Sequence, residues 1–414
     1  MDKTINYQTV CDFFDGKVKI RCLKTYNDTR GMVSEVFRTD SDITHNSKMC
    51  YISETNSLVL RGPHEHVSQT DEFVTWNSRM VYQLYNPKTG EMKYHITDPN
   101  KITNVSVSTG IVHSYRNLEN NSIKTMNFPD ALFMGENKKS PIDEIRHEEK
   151  ISDDLTTYVI LGADGRLGKA IVENLFNNMG YHNYHVIPIF QRLNCDEDVK
   201  KLFIELTKIN PVICQPEKMI VINCIALTDV QKLVNYNNEV RWCNVELPVA
   251  LAKKSKMIGC KFYQISTDYV FRENDKSVYT QSKKDMEYHL KGLNVNIIRV
   301  ANLFSNDKND TQNIVSKLKN KAKNKETMLA DPDQYIFPTD VGKLTEYIIK
   351  YINESDENEI SFFGTPIKLI DFFETVGGKN VTEIKSSIIF NTEKFINNGY
   401  VIDCKDQLLQ KIKE

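Results

Sequence analysis

The sequence is short of several features that would each have pointed to a function. It has no excess of charge of either sign: 53 basic residues against 55 acidic ones leave a net charge of −2 over 414 residues. No global basic field therefore argues for nucleic acid or an anionic membrane as partner. It has no run of about 18 apolar residues, the length that spans a bilayer, and Met1 to Val10 carry no apolar signal core. Neither secretion nor membrane insertion is expected. No C-x-x-C pair occurs. The nine cysteines are scattered, and Cys195, Cys214, Cys224, Cys243 and Cys260 lie in or beside apolar runs, where a reduced thiol acts as a small hydrophobe. A reducing cytoplasm is the expected compartment. Internal repeats are also missing. What remains, 40% hydrophobic and 26% charged, describes folded globular domains, and the length suits two or three of them.

The pattern changes near residue 150. Before it, Val18 to Leu23, Val33 to Phe37, Phe73 to Trp76, Val81 to Tyr85 and Lys93 to Ile96 are short runs rich in β-branched and aromatic residues, roughly alternating apolar and polar. Turn signals such as Asn86-Pro87-Lys88-Thr89-Gly90 separate them. This predicts an all-β sandwich or barrel over residues 1–137. A charge-dense stretch follows, and residues 138–155 are read as a linker. From 156 to 414, apolar runs (Tyr158 to Leu161, Val186 to Phe190, Met219 to Ile225, Lys261 to Ile265) alternate with helical patterns (Leu167 to Phe176, Val199 to Lys208, Pro248 to Met257). Unbroken apolar strands between helices predict a doubly wound, Rossmann-type parallel sheet, here with a small substrate-binding lobe. The Lys- and Asn-rich stretch 306–325 reads as a solvated helix or loop.

Two features of the second half carry chemistry. Gly162-Ala163-Asp164-Gly165-Arg166-Leu167-Gly168 follows a strand and opens a helix, so glycines would let the backbone approach a pyrophosphate and helix N–H groups would bind its charge. Tyr279-Thr280-Gln281-Ser282-Lys283 places a phenol and an ammonium on one helix face. A nearby cation is expected to lower the phenol pKa, so that it can exchange a proton with a substrate oxygen. Ser266-Thr267-Asp268-Tyr269-Val270-Phe271 ends a strand just upstream and offers a hydroxyl to the same oxygen.

With Val221-Ile222-Asn223-Cys224-Ile225-Ala226-Leu227-Thr228-Asp229-Val230, Asn244, Arg299, Asp333-Gln334 and Pro338-Thr339, these motifs make residues 157–345 resemble the extended short-chain dehydrogenase/reductase family, in its dTDP-4-dehydrorhamnose reductase branch. The resemblance implies that Thr267, Tyr279 and Lys283 are catalytic. It implies a cofactor over Gly162 to Gly168 (touching Asp164, Gly165, Arg166 and Leu167 as well as Ala226 and Lys283) and Arg299 at the substrate. Only Arg272 to Val278 separate the strand end from the Tyr279 motif, so a substrate-covering loop is expected to be short. Gln191 and Arg192 follow the second strand where an NAD site wants a carboxylate. Arg192 suits a 2′-phosphate, and NADPH is expected ahead of NADH.

The first half contains Asp28-Thr29-Arg30-Gly31 with Glu35, Arg61-Gly62-Pro63-His64-Glu65-His66, and Gly110-Ile111-Val112-His113. Three readings of these residues compete. His64, His66 and His113, with Asp71 or Glu72, are plausible metal ligands in a cupin barrel. A histidine could instead remove a proton next to a carbonyl, or the histidines could be satisfied members of a plain barrel. Over residues 15–150 the arrangement resembles the dTDP-4-dehydrorhamnose 3,5-epimerase family, which implies a cupin-type double-stranded β-helix, no metal, and dimers formed through this domain. It implies that His64 is the base, that Arg61 binds the nucleotide diphosphate, and that His113, Arg30 and Glu35 help to bind the nucleotide sugar. Three departures stand out: Asp71 and Glu72 lie where a lysine is usual, Met126 and Asn127 where a tyrosine acid is usual, and no W-N-D-P segment supplies an aspartate partner for the base. Asp71 and Asp143 are the candidates for that partner.

Together the halves imply a bifunctional 3,5-epimerase and 4-reductase acting on a nucleoside-diphosphate 4-keto-6-deoxy-D-glucose, with UDP expected ahead of dTDP. The alternatives are a non-catalytic NADP-binding regulator with a cupin dimerisation module, against which the intact Tyr279/Lys283 pair argues, and a reductase fused to a metal-binding cupin.

Overall fold

Alternation of apolar and polar residues in the first part of the chain produces short antiparallel strands: β1 (Tyr7–Phe13), β2 (Val18–Leu23), β3 (Thr25–Asp28), β4 (Gly31–Ser34), β5 (Tyr51–Thr55), β6 (Leu60–His66), β7 (Asp71–Thr75), β8 (Met80–Asn86), β9 (Glu91–Ile96), β10 (Ile102–Val107), β11 (Val112–Asn117), β12 (Ile123–Asn127) and β13 (Glu144–Arg146). The computed structural model describes residues 7–38, 40, 46–132, 144–147, 156–178, 184–209, 215–229, 233–307, 310–311, 313–355, 357–378, 381–397 and 399–413. The chain divides into two compact units, one of Met1–Thr157, Phe176–Ile187 and Ile204–Cys214, the other of Tyr158–Leu175, Pro188–Phe203 and Gln215–Glu414. Among the described residues no helix is long and apolar enough to cross a membrane.

In the first unit a six-stranded sheet runs in the order β1-β2-β10-β7-β12-β5, and a five-stranded sheet in the order β13-β6-β11-β8-β9. Val18, Ile20, Phe73 and Val105 from the first sheet form one core with Met80, Tyr82, Leu84 and Tyr115 from the second. Burying each such side chain contributes about 1.5–3 kcal/mol. Two local outcomes differ from expectation. The run Val33 to Phe37 is a strand only through Ser34, because Val33 is exposed on the β3–β4 hairpin and has no core to face. Phe37 instead stacks on Phe128. Residues 144–146, inside the expected linker, form β13 and pair with β6. The other linker positions, apart from His147, and with them Asp143, lie outside the described residues.

The later part of the chain forms a seven-stranded sheet from β14 (Thr156–Leu161), β15 (Tyr184–Ile189), β16 (Met219–Asn223), β17 (Lys261–Thr267), β18 (Asn296–Val300), β19 (Glu359–Gly364) and β20 (Gly399–Ile402), in the order β15-β14-β16-β17-β18-β19-β20. Neighbours from β16 to β20 are parallel. The inner strands are buried runs, such as β16 with all five residues covered, as expected where helices cover a parallel sheet, whereas the edge strand β20 exposes Tyr400 and Val401. The helices longer than six residues are α1 (Arg166–Asn178), α2 (Asp196–Lys208), α3 (Leu247–Ile258), α4 (Val278–Leu290), α5 (Ile314–Lys323), α6 (Val341–Glu354), α7 (Leu369–Gly377) and α8 (Lys405–Lys413).

Helix α4 carries the Tyr279–Lys283 motif. Tyr279, Thr280, Ser282, Lys283, Met286 and Leu290 are buried on it, and Tyr279, Lys283, Met286 and Leu290 follow one another three or four apart, as a 3.6-residue period requires. Its start is fixed by Ser277, whose hydroxyl accepts from Thr280 N. Asp275 accepts from Ser277 N and Thr280 Oγ1, both at 2.8 Å. The short connection before it is pinned by pairing of Arg272 and Glu273 with Phe390 and Ile389.

Candidate functional site

The glycine turn between β14 and α1 is closed by Gly165 N donating to Gly162 O at 3.0 Å. Gly162 has a φ of +72°. A Cβ on Gly168 would lie 2.1 Å from Gly162 O, a backbone contact that no side chain tolerates. The first turn of α1 carries no acidic residue, which leaves its N–H dipoles open to an anion. Asp164 and Gly165 are exposed, whereas Leu167 is buried beneath the turn. Arg166 is clamped by Asp310 at 2.6 and 2.8 Å. Burial would raise the Asp310 carboxyl, but Arg166 holds it down at about 2. Arg192 is exposed just beyond β15.

Beside this turn, Asn244 is fully buried and ties two elements together. It accepts from Leu227 N at 2.8 Å, donates to Leu227 O at 3.0 Å, and donates to Ser282 Oγ on α4 at 3.0 Å. The loop that carries Ala226 is thereby locked to the helix that carries Tyr279 and Lys283.

Thr267, at the end of β17, donates to Asp268 Oδ1 at 3.0 Å and accepts from Tyr269 N at 3.3 Å. Burial pushes the Asp268 carboxyl up to about 6. The structure reverses the expected sign at Tyr279. Burial raises its phenol well above the ordinary value, outweighing the opposing influence of the Thr267 side chain, and the Lys283 ammonium is turned toward Ile265 O at 3.5 Å. Lys283 itself is 2% exposed, and burial lowers it to about 8 against the charges of Cys243, Glu287 and Cys224. Arg299, expected at the substrate, is instead taken up by carboxylates. It donates to both oxygens of Glu287 on α4, at 2.9 and 2.7 Å, and to Glu359 at 2.8 Å. Glu287 also accepts from Ser266 Oγ at 2.6 Å. The Arg299–Glu287 pair therefore ties α4 to β18, and Ser266 ties the same carboxylate to β17, a positioning role.

In the first unit a second cluster forms where β6, β7 and β11 meet. His64 and His113 are direct register partners on β6 and β11. Gly62 permits that approach, since it has a φ of +87° and a Cβ there would lie 2.6 Å from His113 O. The ligand atoms of His64, His66, Asp71 and His113 all lie within 4.8 Å of one another. Asp71 is the hub. Its Oδ2 lies 3.2 Å from His66 Nε2 and 3.3 Å from His113 Nε2, and its Oδ1 accepts from Gln69 at 2.8 Å and Asn127 at 2.9 Å. Burial would raise this carboxyl, but the imidazoles of His113 and His66 outweigh it and hold it far below the carboxylate range. Burial, then the neighbouring His113, lowers His64 to about 4, so its imidazole is neutral at pH 7.

Around the cluster, Tyr51 OH accepts from Asn127 Nδ2 at 2.7 Å, and Arg61 donates to Thr55 Oγ1 and to Glu54 O. Glu72, the alternative carboxylate, points elsewhere and accepts from Asn104 at 2.8 Å. Arg30 and Glu35 are not drawn into the cluster. Each is exposed and paired with a near neighbour in sequence, Arg30 with Asp28 and Glu35 with Arg38.

Comparison with known proteins now bears on these geometries. Residues 156–365, half of the chain, match the family described as RmlD substrate binding domain. The chain belongs to this family. Over 123 residues, 28% of this chain and 79% of the other, it is 27% identical to a probable low-salt glycan biosynthesis epimerase of Haloferax volcanii. Among solved structures, a dTDP-4-dehydrorhamnose reductase of Clostridium acetobutylicum is similar at 25% identity and a TM-score of 0.48, covering 62% of this chain and 99% of its own. A dTDP-4-dehydrorhamnose reductase of Bacillus anthracis, solved in complex with NADP, is similar at 22% identity and a TM-score of 0.47, covering 62% and 97%. The family match includes the glycine turn, Asn244 and the Thr267, Tyr279 and Lys283 cluster.

Proposed function

We propose that the chain is a bifunctional enzyme that epimerises C3 and C5 of a nucleoside-diphosphate 4-keto-6-deoxy-D-glucose and then reduces C4, giving the nucleoside-diphosphate L-rhamnose. Residues 156–414 are read as the reductase and 1–137 as a cupin-type epimerase. The carrying observation is that the family match over residues 156–365 takes in Thr267 at the end of β17, the buried Tyr279 and Lys283 one turn apart on α4, and the glycine turn.

The residues present fit NADPH. The turn has no room for a Cβ at Gly168, the start of α1 is free of acid, and Arg192 offers a cation to a 2′-phosphate. The cofactor, when bound over Gly162 to Gly168, supplies hydride. Tyr279 protonates the C4 oxygen, and burial suits it to that task by keeping the phenol protonated at neutral pH. Thr267 orients the same oxygen, and Lys283 brings positive charge to the pocket below pH 8.

In the first unit, neutral His64 removes the protons that flank the C4 ketone. Asp71 holds the neighbouring imidazoles, and Arg61 is available to the diphosphate. Similarity to a glycan-biosynthesis epimerase supports this half of the reading. UDP is favoured ahead of dTDP as the nucleotide.

Two variants test the assignment. Tyr279→Phe keeps the ring and removes the proton donor, so NADPH oxidation should be nearly abolished while solvent deuterium still enters at C3 and C5. His64→Ala should stop that exchange and leave NADPH binding intact. Near wild-type reduction by Tyr279→Phe, or near wild-type exchange by His64→Ala, contradicts the corresponding half.

A further inference from the structure

Inverting a carbon centre takes two proton carriers, one to remove a proton from one face and one to return a proton on the other. His64 fills the first role, and the second has no residue yet. Strand β12 carries no phenol, since it consists of Ile123, Lys124, Thr125, Met126 and Asn127. Its neighbour β5 does. Tyr51 is the register partner of Asn127. It shares a face of β5 with Ser53 and Thr55, which are hydrogen-bonded to Tyr115 and Arg61.

The direction of the hydrogen bonds decides what this phenol can do. Asn127 Oδ1 accepts from the backbone N–H of Glu72 at 3.1 Å, which fixes the orientation of the amide. Its Nδ2 donates to Asp71 Oδ1 at 2.9 Å and to Tyr51 OH at 2.7 Å. An amide nitrogen cannot accept, so the Tyr51 oxygen is the acceptor and its own proton is left for another group. Burial raises the phenol to about 12 against the Asn127 hydrogen bond, with Asp71 and Tyr115 adding to the rise and Arg61 opposing it. It therefore holds its proton at neutral pH. Tyr82 and Tyr115 are 1% and 5% exposed and belong to the core, whereas Tyr51 is 43% exposed and within reach of a ligand. Tyr51 stands on the six-stranded sheet, and His64 on the five-stranded sheet packed against it.

We propose that Tyr51 is the general acid of the epimerase half, returning a proton to the sugar carbon on the face opposite His64, an assignment that rests on the epimerase reading. The His64 imidazole takes the proton from C3 or C5, and the C–H electron pair passes into the enolate of the C4 ketone. Collapse of the enolate brings that pair back to the carbon, which takes the proton of the Tyr51 O–H bond. Imidazolium and phenolate are left, and proton exchange with water restores both. Asn127, already donating to the phenolic oxygen, stabilises the charge that the oxygen acquires.

The full chain carrying Tyr51→Phe is incubated in D2O with UDP- or dTDP-4-keto-6-deoxy-D-glucose, without NADPH, and recovered and inverted sugars are read by NMR. Inversion should fall at least about a hundredfold. Deuterium should still enter the recovered D-configured sugar at C3 and C5, because His64 can return a deuteron to the face it emptied. That exchange also reports an intact first unit, and a merely structural role for Tyr51 would lower exchange and inversion together. Tyr115→Phe should keep both. A fluorinated tyrosine in place of Tyr51, close in shape but more acidic, should move the alkaline limb of inversion to lower pH and leave that of exchange where it is. Near wild-type inversion by Tyr51→Phe, equal loss of exchange and inversion, or an unmoved alkaline limb overturns the proposal and leaves the epimerase reading standing. So does selective loss of inversion in Tyr115→Phe, which makes Tyr115 the acid. A wild-type chain that neither exchanges nor inverts either sugar overturns the epimerase reading itself, and the assignment of Tyr51 with it.

Discussion

Replacing Lys283 by methionine should destroy reduction and yet stabilise the protein, because the ammonium is buried with little to compensate it. Lys283 is 2% exposed, and its ammonium donates to Ile265 O at a long 3.5 Å. Burial brings its pKa from 10.5 to about 8. At about 1.36 kcal/mol per pKa unit, the folded state at pH 7 bears a cost of about 3 kcal/mol that methionine, of similar length and apolar, removes. The pH dependence fixes the sign. Between pH 8 and 10.5 the unfolded lysine holds its proton and the folded one has lost it, so wild-type stability rises with pH in that window. The advantage of Lys283→Met should therefore be about 3 kcal/mol at pH 7, worth roughly 6–12 °C in Tm, and shrink below about 1 kcal/mol by pH 10. Differential scanning calorimetry of the cofactor-free chain at the two pH values measures this. A variant less stable than wild type at pH 7, or an advantage that does not shrink with pH, would refute the reasoning.

Gly168→Ala must push the Gly162 carbonyl aside, so it should lower NADPH affinity at least about tenfold by fluorescence titration and lower the Tm. Gly165→Ala, whose Cβ would meet Gly162 O at 3.3 Å, should be tolerated far better. Arg192→Ala should weaken NADPH about ten- to a hundredfold, the loss of a charge-assisted contact of about 1.5–3 kcal/mol. NADH affinity should hardly change, and equal losses would mean that Arg192 reads no 2′-phosphate. Gly62→Ala, strained in backbone and blocked by His113 O, should abolish deuterium exchange while C4 reduction of an already epimerised sugar survives.

Local patterns in the sequence located most of the reductase. Unbroken apolar runs marked β14, β16 and β17, and the glycine turn and the Tyr279–Lys283 spacing lay on contiguous residues whose geometry a strand or helix period dictates. Charge balance in the pocket was less accessible. The effect of Lys283 on Tyr279 depended on burial and on where the ammonium points, which spacing does not reveal. Arg166 and Arg299 looked like ligand contacts until Asp310, Glu287 and Glu359, far off in sequence, proved to hold them. In the first unit, period two on β6 put His64 and His66 on one face. The sequence named Asp71 only as one candidate carboxylate beside Glu72 and Asp143. Choosing it required the register that brings β7 and β11 together, and nothing local identified Gln69 and Asn127 as its supports. Asn244 carried a signal in its motif series, but its part in locking the Ala226 loop to α4 emerged only from the fold.

The central claim, that one chain inverts and then reduces the same sugar, is tested most directly by a single incubation in D2O. The wild-type chain is given UDP- or dTDP-4-keto-6-deoxy-D-glucose with NADPH, and the product is read by NMR. The account predicts L-rhamno configuration, deuterium at C3 and C5, and protium from the cofactor at C4. A D-configured 6-deoxy sugar without deuterium at C3 and C5 would contradict the epimerase half, and a sugar left unreduced with NADPH unconsumed would contradict the reductase.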